Sequence, residues 1–239
     1  MKALVLFSGG LDSTVCLALA VKEYGAGEVI ALSIYYGQKH QKEMEASEKI
    51  AAYYGVKRLT LDLGEIFKDS NCTLLQGAAE EIPHEEYAEQ LEKTNGAPVN
   101  TYVPFRNGLF LSSAAAVALS NGCEVIYYGA HADDAAGSAY PDTSAEFNQA
   151  ITDAIHIGSG NALRVEAPFI HASKAGVVKC GAELEVPFRL TWSCYEGHEK
   201  ACGVCGTCRD RIRAFRENGL TDPVEYENPD LFRTDEPKR

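Results

Sequence analysis

No run in the 239 residues reaches the roughly 18 consecutive apolar positions that a membrane-spanning helix needs; the 46% apolar content is there to fill a buried core. Cations are scarce as well. Lys and Arg total 22 against 34 Asp and Glu, a net charge of −12, which is the wrong sign for gripping nucleic-acid phosphates. The sequence therefore predicts no membrane partner, no direct nucleic-acid partner and a small-molecule substrate. The one basic concentration, Arg209, Arg211, Arg213 and Arg216, is interleaved with Asp210 and Glu217 and reads as a solvated helix of mixed charge. No internal repeat and no low-complexity linker interrupts the chain. Met1-Lys2-Ala3 leads straight into a strand with no secretory signal before it, so the expected location is the cytoplasm.

Two familiar phosphate-binding signatures are missing too. No Gly-Lys-Ser/Thr follows a glycine loop, and no third glycine completes a dinucleotide fingerprint. What is present is Phe7-Ser8-Gly9-Gly10-Leu11-Asp12-Ser13-Thr14, directly after the buried-type strand Ala3-Leu4-Val5-Leu6. Adjacent glycines let successive N–H groups converge on one anion. The apolar spacing of Val15 to Tyr24 predicts a helix whose positive end faces the same point. Ser-Gly-Gly-Leu-Asp-Ser resembles the pyrophosphate loop of the ATP pyrophosphatase superfamily, which cleaves ATP between its α and β phosphates.

Eight cysteines in a reducing compartment argue against a disulfide framework. Cys16, Cys72, Cys123 and Cys180 stand singly and read as small buried hydrophobes. Cys194, Cys202, Cys205 and Cys208 fall within fifteen positions, with glycines where the chain must turn, and four thiolates suit one structural Zn²⁺ with no open coordination site. An iron–sulfur cluster is the rival for Cys-x-x-Cys-x-x-Cys, but the usual further Cys-Pro is missing.

Hydrophobic period and punctuation alternate strands and helices: strands near 3–7, 28–35, 57–63, 124–128 and 163–167, helices 13–24, 40–54, 106–120, 144–157 and 173–183. The pattern predicts an α/β fold, a Rossmann-like doubly wound parallel sheet. Residues 1–190 would form the ATP-binding domain, and 191–239 a small C-terminal zinc-binding helical segment packed on it. Glu65 to Asn95, irregular and acidic, reads as an insertion or lid. Ligands in such sheets sit beyond the strand carboxyl ends, which brings together Ser8-Gly9-Gly10, Tyr36-Gly37-Gln38, Gly129 to Asp134, and Lys174.

Five segments together resemble the 7-cyano-7-deazaguanine synthase family of queuosine precursor biosynthesis: the loop Phe7 to Thr14; Val103-Pro104-Phe105-Arg106-Asn107; Gly129-Ala130-His131-Ala132-Asp133-Asp134 running on to Tyr140-Pro141-Asp142; Ala167-Pro168-Phe169 with Lys174; and Thr191-Trp192-Ser193-Cys194-Tyr195 with the later cysteines. The family commonly has Cys where this chain has Thr143. Thr keeps the size and offers a helix-capping hydroxyl, so this position is read as structural. The resemblance implies an adenine nucleotide alpha hydrolase-like fold and a homodimer. It also implies a ligase that converts 7-carboxy-7-deazaguanine and ammonia to the nitrile with two ATP, through an adenylated carboxylate and an adenylated amide. Only about fifty residues follow the ATP domain, too few for a glutaminase, so free ammonia is the expected nitrogen source.

Roles follow from that resemblance. Backbone N–H groups of Ser8 to Thr14 would hold pyrophosphate. Asp12 would position Mg²⁺ or cap the helix. Arg106 and Lys174 would pair phosphate or substrate carboxylate, unless Lys174 is an ordinary solvated lysine. Asp134 would steer Mg²⁺ or accept from the guanine-like edge, Tyr140 would stack on the bicycle, and His131 is either an acid–base group or an ordinary hydrogen-bonded histidine. The alternatives are an RNA-modifying sulfurtransferase or lysidine-type ligase of the same superfamily, and a non-catalytic ATP-binding zinc protein.

Overall fold

The computed structural model describes residues 1–84, 87–95, 97–134 and 139–228. Glu85, Glu86 and residues 229–239, which fall within the predicted insertion and the predicted C-terminal segment, lie outside the described residues. Five strands, β1 (Ala3–Leu6), β2 (Val29–Tyr35), β3 (Lys57–Asp62), β4 (Val125–Tyr127) and β5 (Arg164–Glu166), form one parallel sheet in the order β3-β2-β1-β4-β5. The central strands are almost wholly apolar because helices cover both faces, and the one buried polar side chain of β2, Ser33, accepts from Arg58 of β3 at 3.1 Å. The edge strands carry Lys57, Arg58 and Asp62 on one side and Arg164 and Glu166 on the other, charges that suit an edge.

Helices α1 (Leu11–Tyr24), α2 (Lys42–Tyr54), α3 (Tyr87–Lys93), α4 (Arg106–Ser120), α5 (Ala145–Gly158), α6 (Lys174–Glu183) and α7 (Gly206–Glu217) complete the fold. On one face Leu11, Val15 and Leu17 of α1 share a core with Ile50 of α2, Val177 and Val178 of α6 and Phe215 of α7. On the other, Leu111 and Ala114 of α4 pack with Ile155 of α5 against Leu4, Ile30 and Ile126. Strand order reverses between β1 and β4, which opens a crevice at their carboxyl ends.

Three local readings change. Helix α1 starts at Leu11, two residues early, because extended Gly10 serves as its N-cap and no side chain caps it; Asp12 is thus not the cap. Ser144, not Thr143, caps α5 by accepting from the Phe147 N–H, while the Thr143 hydroxyl donates to the Tyr140 carbonyl at 2.7 Å. Arg211 is 2% exposed rather than solvated, and its guanidinium grips Asp222 in two bonds of 2.6 and 3.0 Å. Within the predicted insertion, Phe67, Cys72, Leu74, Leu75 and Ile82 are buried in one cluster with the four clustered cysteines and Tyr226.

Candidate active site

The loop after β1 is built by close approach. Gly9 has φ +86°, and a Cβ there would stand 2.5 Å from both the Glu43 carbonyl oxygen and the Ser47 nitrogen of α2. Only glycine fits both the backbone and the space. The Ser8 hydroxyl accepts from the Gly10 N–H at 3.1 Å and lies 3.1 Å from the Ser13 hydroxyl, which fixes the turn from inside. Leu11, Asp12 and Ser13 form the first turn of α1, where backbone N–H groups lack a helical carbonyl partner and suit an anion as a cradle; of the three, Asp12 and Ser13 line the crevice. A Cβ on Gly129 would stand 3.0 Å from the Asp12 carbonyl carbon, so β4's exit glycine lets that strand end against the same turn.

Beside the cradle, Lys174 Nζ donates to Asp12 Oδ2 at 2.5 Å and lies 3.3 Å from His131 Nε2, which in turn is 3.3 Å from Asp134 Oδ1. Lys174 is 9% exposed, so the solvated reading does not hold. Its position has a local cause: Ser173 caps α6, and Asp133 accepts from the Lys174 N–H at 2.8 Å. Burial pushes the Asp12 carboxyl up, but the charges of Lys174 and His131 outweigh it and hold Asp12 below the ordinary carboxylate range. Burial lowers Lys174, and Asp12 and Asp134 reverse that, so it stays charged. Asp134 is raised, chiefly by burial. Asp12 Oδ1 and His131 Nδ1 are buried and accept or donate no hydrogen bond among the described residues.

Across the crevice Phe105, in the left-handed region at φ 54°, turns the chain so that Arg106 opens α4. The Arg106 guanidinium lies 5.3 Å from the Tyr36 ring centre and 5.9 Å from that of Phe110, and burial fails to lower it because Tyr36 and Asp142 face it. Asp142 accepts from the Asn107 N–H at 2.8 Å, which ties the start of α4 to the turn at Tyr140. The Tyr140 hydroxyl is 2.6 Å from Thr101 Oγ1. Ser8, Gly10, Asp12, Ser13, Arg106, His131, Asp134, Tyr140, Thr143 and Lys174 all line one cavity. Of the loop, Phe7 also lines it; Leu11 and Thr14 are buried, and the Thr14 hydroxyl donates to the Gly10 carbonyl at 2.7 Å.

Reading the sequence missed Glu43, which lines this cavity from the first turn of α2. The signal was available: α2 follows the carboxyl end of β2, so the switch-point rule aims its first turn at the crevice. Burial pushes the Glu43 carboxyl up to about 7, with Arg106 pulling the other way.

Cys194, Cys202, Cys205 and Cys208 are all buried, with their sulfur atoms within 4.8 Å of one another. Backbone N–H groups of Cys202 and Cys205 donate to Cys194 Sγ at 3.3 Å and Cys202 Sγ at 3.4 Å. Those bonds stabilise thiolates. The neighbouring thiols hold Cys202 far down while Cys205 and Cys208 are pushed far up, since four such groups cannot all ionise without a cation among them. The donor set fits a metal ion. The segment reaches the crevice as well: the Trp192 N–H donates to the Gly9 carbonyl at 3.0 Å, and Ser193, Tyr195, Thr207 and Asp210 line the cavity.

A parallel sheet with a two-glycine loop at its switch point, overlooked by Lys174 and Arg106, defines an α/β protein with a pyrophosphate-loop-like fold. Among solved structures, the U34-tRNA thiolase NcsA from Methanococcus maripaludis, with its [4Fe-4S] cluster, is similar in fold, with a TM-score of 0.51 at 14% identity over 91% of this chain and 67% of that one. The sequence profile described as Queuosine biosynthesis protein QueC matches residues 2–219, and the chain belongs to that family. It is 42% identical over 227 residues to the 7-cyano-7-deazaguanine synthase of Oceanobacillus iheyensis, covering 94% of this chain and 98% of the relative. It is 40% identical over 225 residues to the synthase of Archaeoglobus fulgidus, covering 94% and 90%.

Proposed function

We propose that the chain is an ATP-dependent ligase that converts 7-carboxy-7-deazaguanine and ammonia to 7-cyano-7-deazaguanine in queuosine biosynthesis. The observation that carries this reading is the convergence of the loop Ser8–Ser13, Arg106, Asp134 and Lys174 on one cavity, in a member of this family. A carboxylate is a poor electrophile; adenylation gives a mixed anhydride that ammonia displaces to the amide. Adenylation of the amide oxygen then lets AMP leave as the nitrile forms. The protein's part is to hold ATP and the acceptor oxygen in line and to stabilise phosphate charge. A tRNA-modifying role and a non-catalytic role are not favoured.

In this reading the N–H groups of the cradle receive pyrophosphate, Lys174 faces the phosphates, and Arg106 binds the substrate carboxylate. Mg²⁺, which would screen the triphosphate, fits Asp12 Oδ1 and Asp134, the first of these buried with no hydrogen-bond partner among the described residues. Tyr140 offers its ring to the bicycle. The cysteine cluster would carry one structural Zn²⁺, making residues 191–239 a metal-stabilised appendage of the ATP domain 1–190. The reading includes free ammonia, a cytoplasmic homodimer and no direct nucleic-acid contact; light scattering tests the dimer. Incubation with ATP, Mg²⁺, ammonium and 7-carboxy-7-deazaguanine, followed by mass spectrometry, tests the reaction. Nitrile with AMP is expected. Amide alone would reduce the protein to a one-step relative, and neither product would overturn the reading.

A further inference from the structure

The chemistry proposed above sheds protons at nitrogen in both rounds, so the cavity needs an acceptor close to the acyl carbon. Four described carboxyls line it: Asp12, Glu43, Asp134 and Asp210. Asp12 is held by Lys174 at 2.5 Å, Asp134 faces His131 at 3.3 Å, and Asp210 is paired with Arg213. Glu43 alone takes no ion pair or hydrogen bond among the described residues. Its place is specific. The Glu43 backbone packs under Gly9, and its Oε1 would stand 3.8 Å from a Cβ built on Gly10, so the carboxyl lies at the lip of the phosphate cradle. It also feels the charge of Arg106. A carboxylate substrate paired with Arg106 and attacking a nucleotide in the cradle would therefore bring its reacting carbon to Glu43.

We propose that Glu43 is the general base of the amidation and dehydration steps, binding ammonium and taking the protons that nitrogen releases. The inference rests on the functional reading above. In the first round ammonium gives a proton to the Glu43 carboxylate, and the ammonia lone pair forms the C–N bond at the adenylated carboxyl carbon. The C–O bond to AMP breaks, AMP leaves with that electron pair, and a second N–H proton goes to solvent. In the second round the amide oxygen attacks the α-phosphorus of another ATP and pyrophosphate leaves. The two remaining N–H protons then depart through Glu43, the C–N triple bond forms, and AMP takes the electrons of the broken C–O bond. Glu43 returns each proton to solvent between steps.

Three facts make Glu43 fit for this task. Burial holds its carboxyl near neutrality, where a base is half loaded at working pH. The groups facing it are Arg106 from α4 and Tyr36 after β2, and Tyr36 is itself pushed up to about 12 by burial, so it stays neutral and does not compete. A negative Glu43 attracts ammonium and leaves neutral ammonia behind when it is protonated.

The test compares wild type, E43Q and E43D by kcat/KM for ammonium as a function of pH, with 7-carboxy-7-deazaguanine and saturating ATP and Mg²⁺, and by pyrophosphate released before ammonium is added. For E43Q we expect kcat/KM for ammonium to fall by about 10²–10³-fold, with initial pyrophosphate release kept. The wild-type rate should level off above about pH 7, whereas the surviving E43Q rate should follow free ammonia and keep rising tenfold per pH unit through that point. E43D should recover part of the loss with a shifted limb. An E43Q enzyme with the wild-type pH profile overturns the inference, as does one in which pyrophosphate release falls as far as amidation. A wild type that releases no pyrophosphate with this substrate overturns the functional reading and the inference with it.

Discussion

Asp12 and Glu43 line the same cavity, yet their carboxyls are displaced in opposite directions, and each displacement makes stability depend on pH. Asp12 is held below its ordinary 3.8 by Lys174 and His131 against burial, so the stabilisation of that pair is present above about pH 4 and is lost as pH falls through the folded value. Glu43 is raised from 4.5 to about 7, so the folded state binds more protons than the unfolded one in that interval and stability declines as pH rises through it. E43Q removes that decline: its unfolding free energy minus that of wild type should grow between about pH 4.5 and 7 and level off above, as denaturant titrations at several pH values would show. Lys174→Met should abolish turnover and lower stability by up to about 3 kcal/mol, because the partly buried Asp12 loses its nearest cation. Retained turnover would remove Lys174 from the site. The chemistry of Asp12 and Lys174 was legible in the sequence, but their bond was not: 162 positions separate them. Glu43 was hidden for a plainer reason, since a Glu in the first turn of a helix is common and satisfies the helix dipole alone.

At the scale of elements, Gly9 joins the phosphate loop to α2. Gly9→Ala would force a Cβ against backbone atoms at 2.5 Å and hold alanine at φ +86°. We expect more than about 1 kcal/mol of destabilisation and weakened ATP binding, read by thermal unfolding and nucleotide titration; wild-type values in both would show that the loop and α2 move apart freely. Strands and helices were legible to within about two residues wherever burial imposed a clean period, as in β1, β2 and α4. Helix starts were less so, because α1 is begun by the backbone of Gly10 and no capping side chain marks it. The basic stretch of α7 misled for a similar reason. Arg211 looks like its exposed neighbours, and what buries it lies elsewhere: Asp222, the Thr191 hydroxyl at 2.7 Å and the Phe188 carbonyl at 3.2 Å. Arg211→Ala should cost about 3–5 kcal/mol by leaving the Asp222 charge buried, a loss that Asp222→Asn would show in part by chemical denaturation.

For the whole molecule, the described part of the predicted insertion and the C-terminal segment share one apolar cluster around the four sulfurs, so what looked like a lid is in part the wall of the cysteine cluster. Cys205→Ser should lower bound metal and expose this cluster to protease, while the sheet and its α1 and α4 cores persist; unchanged metal content and proteolysis would refute a structural metal. The bond from the Trp192 N–H to the Gly9 carbonyl carries this further. It hangs the phosphate loop from the same short segment that begins the cysteine cluster two residues later. A metal at the cysteines and a nucleotide at the loop would each order this shared segment, and would then favour each other's binding by the same factor in both directions. Chelator should then remove metal at a higher concentration from protein saturated with ATP than from protein without it, and metal-free protein should bind ATP more weakly; equal values in both titrations would show that the two sites are uncoupled.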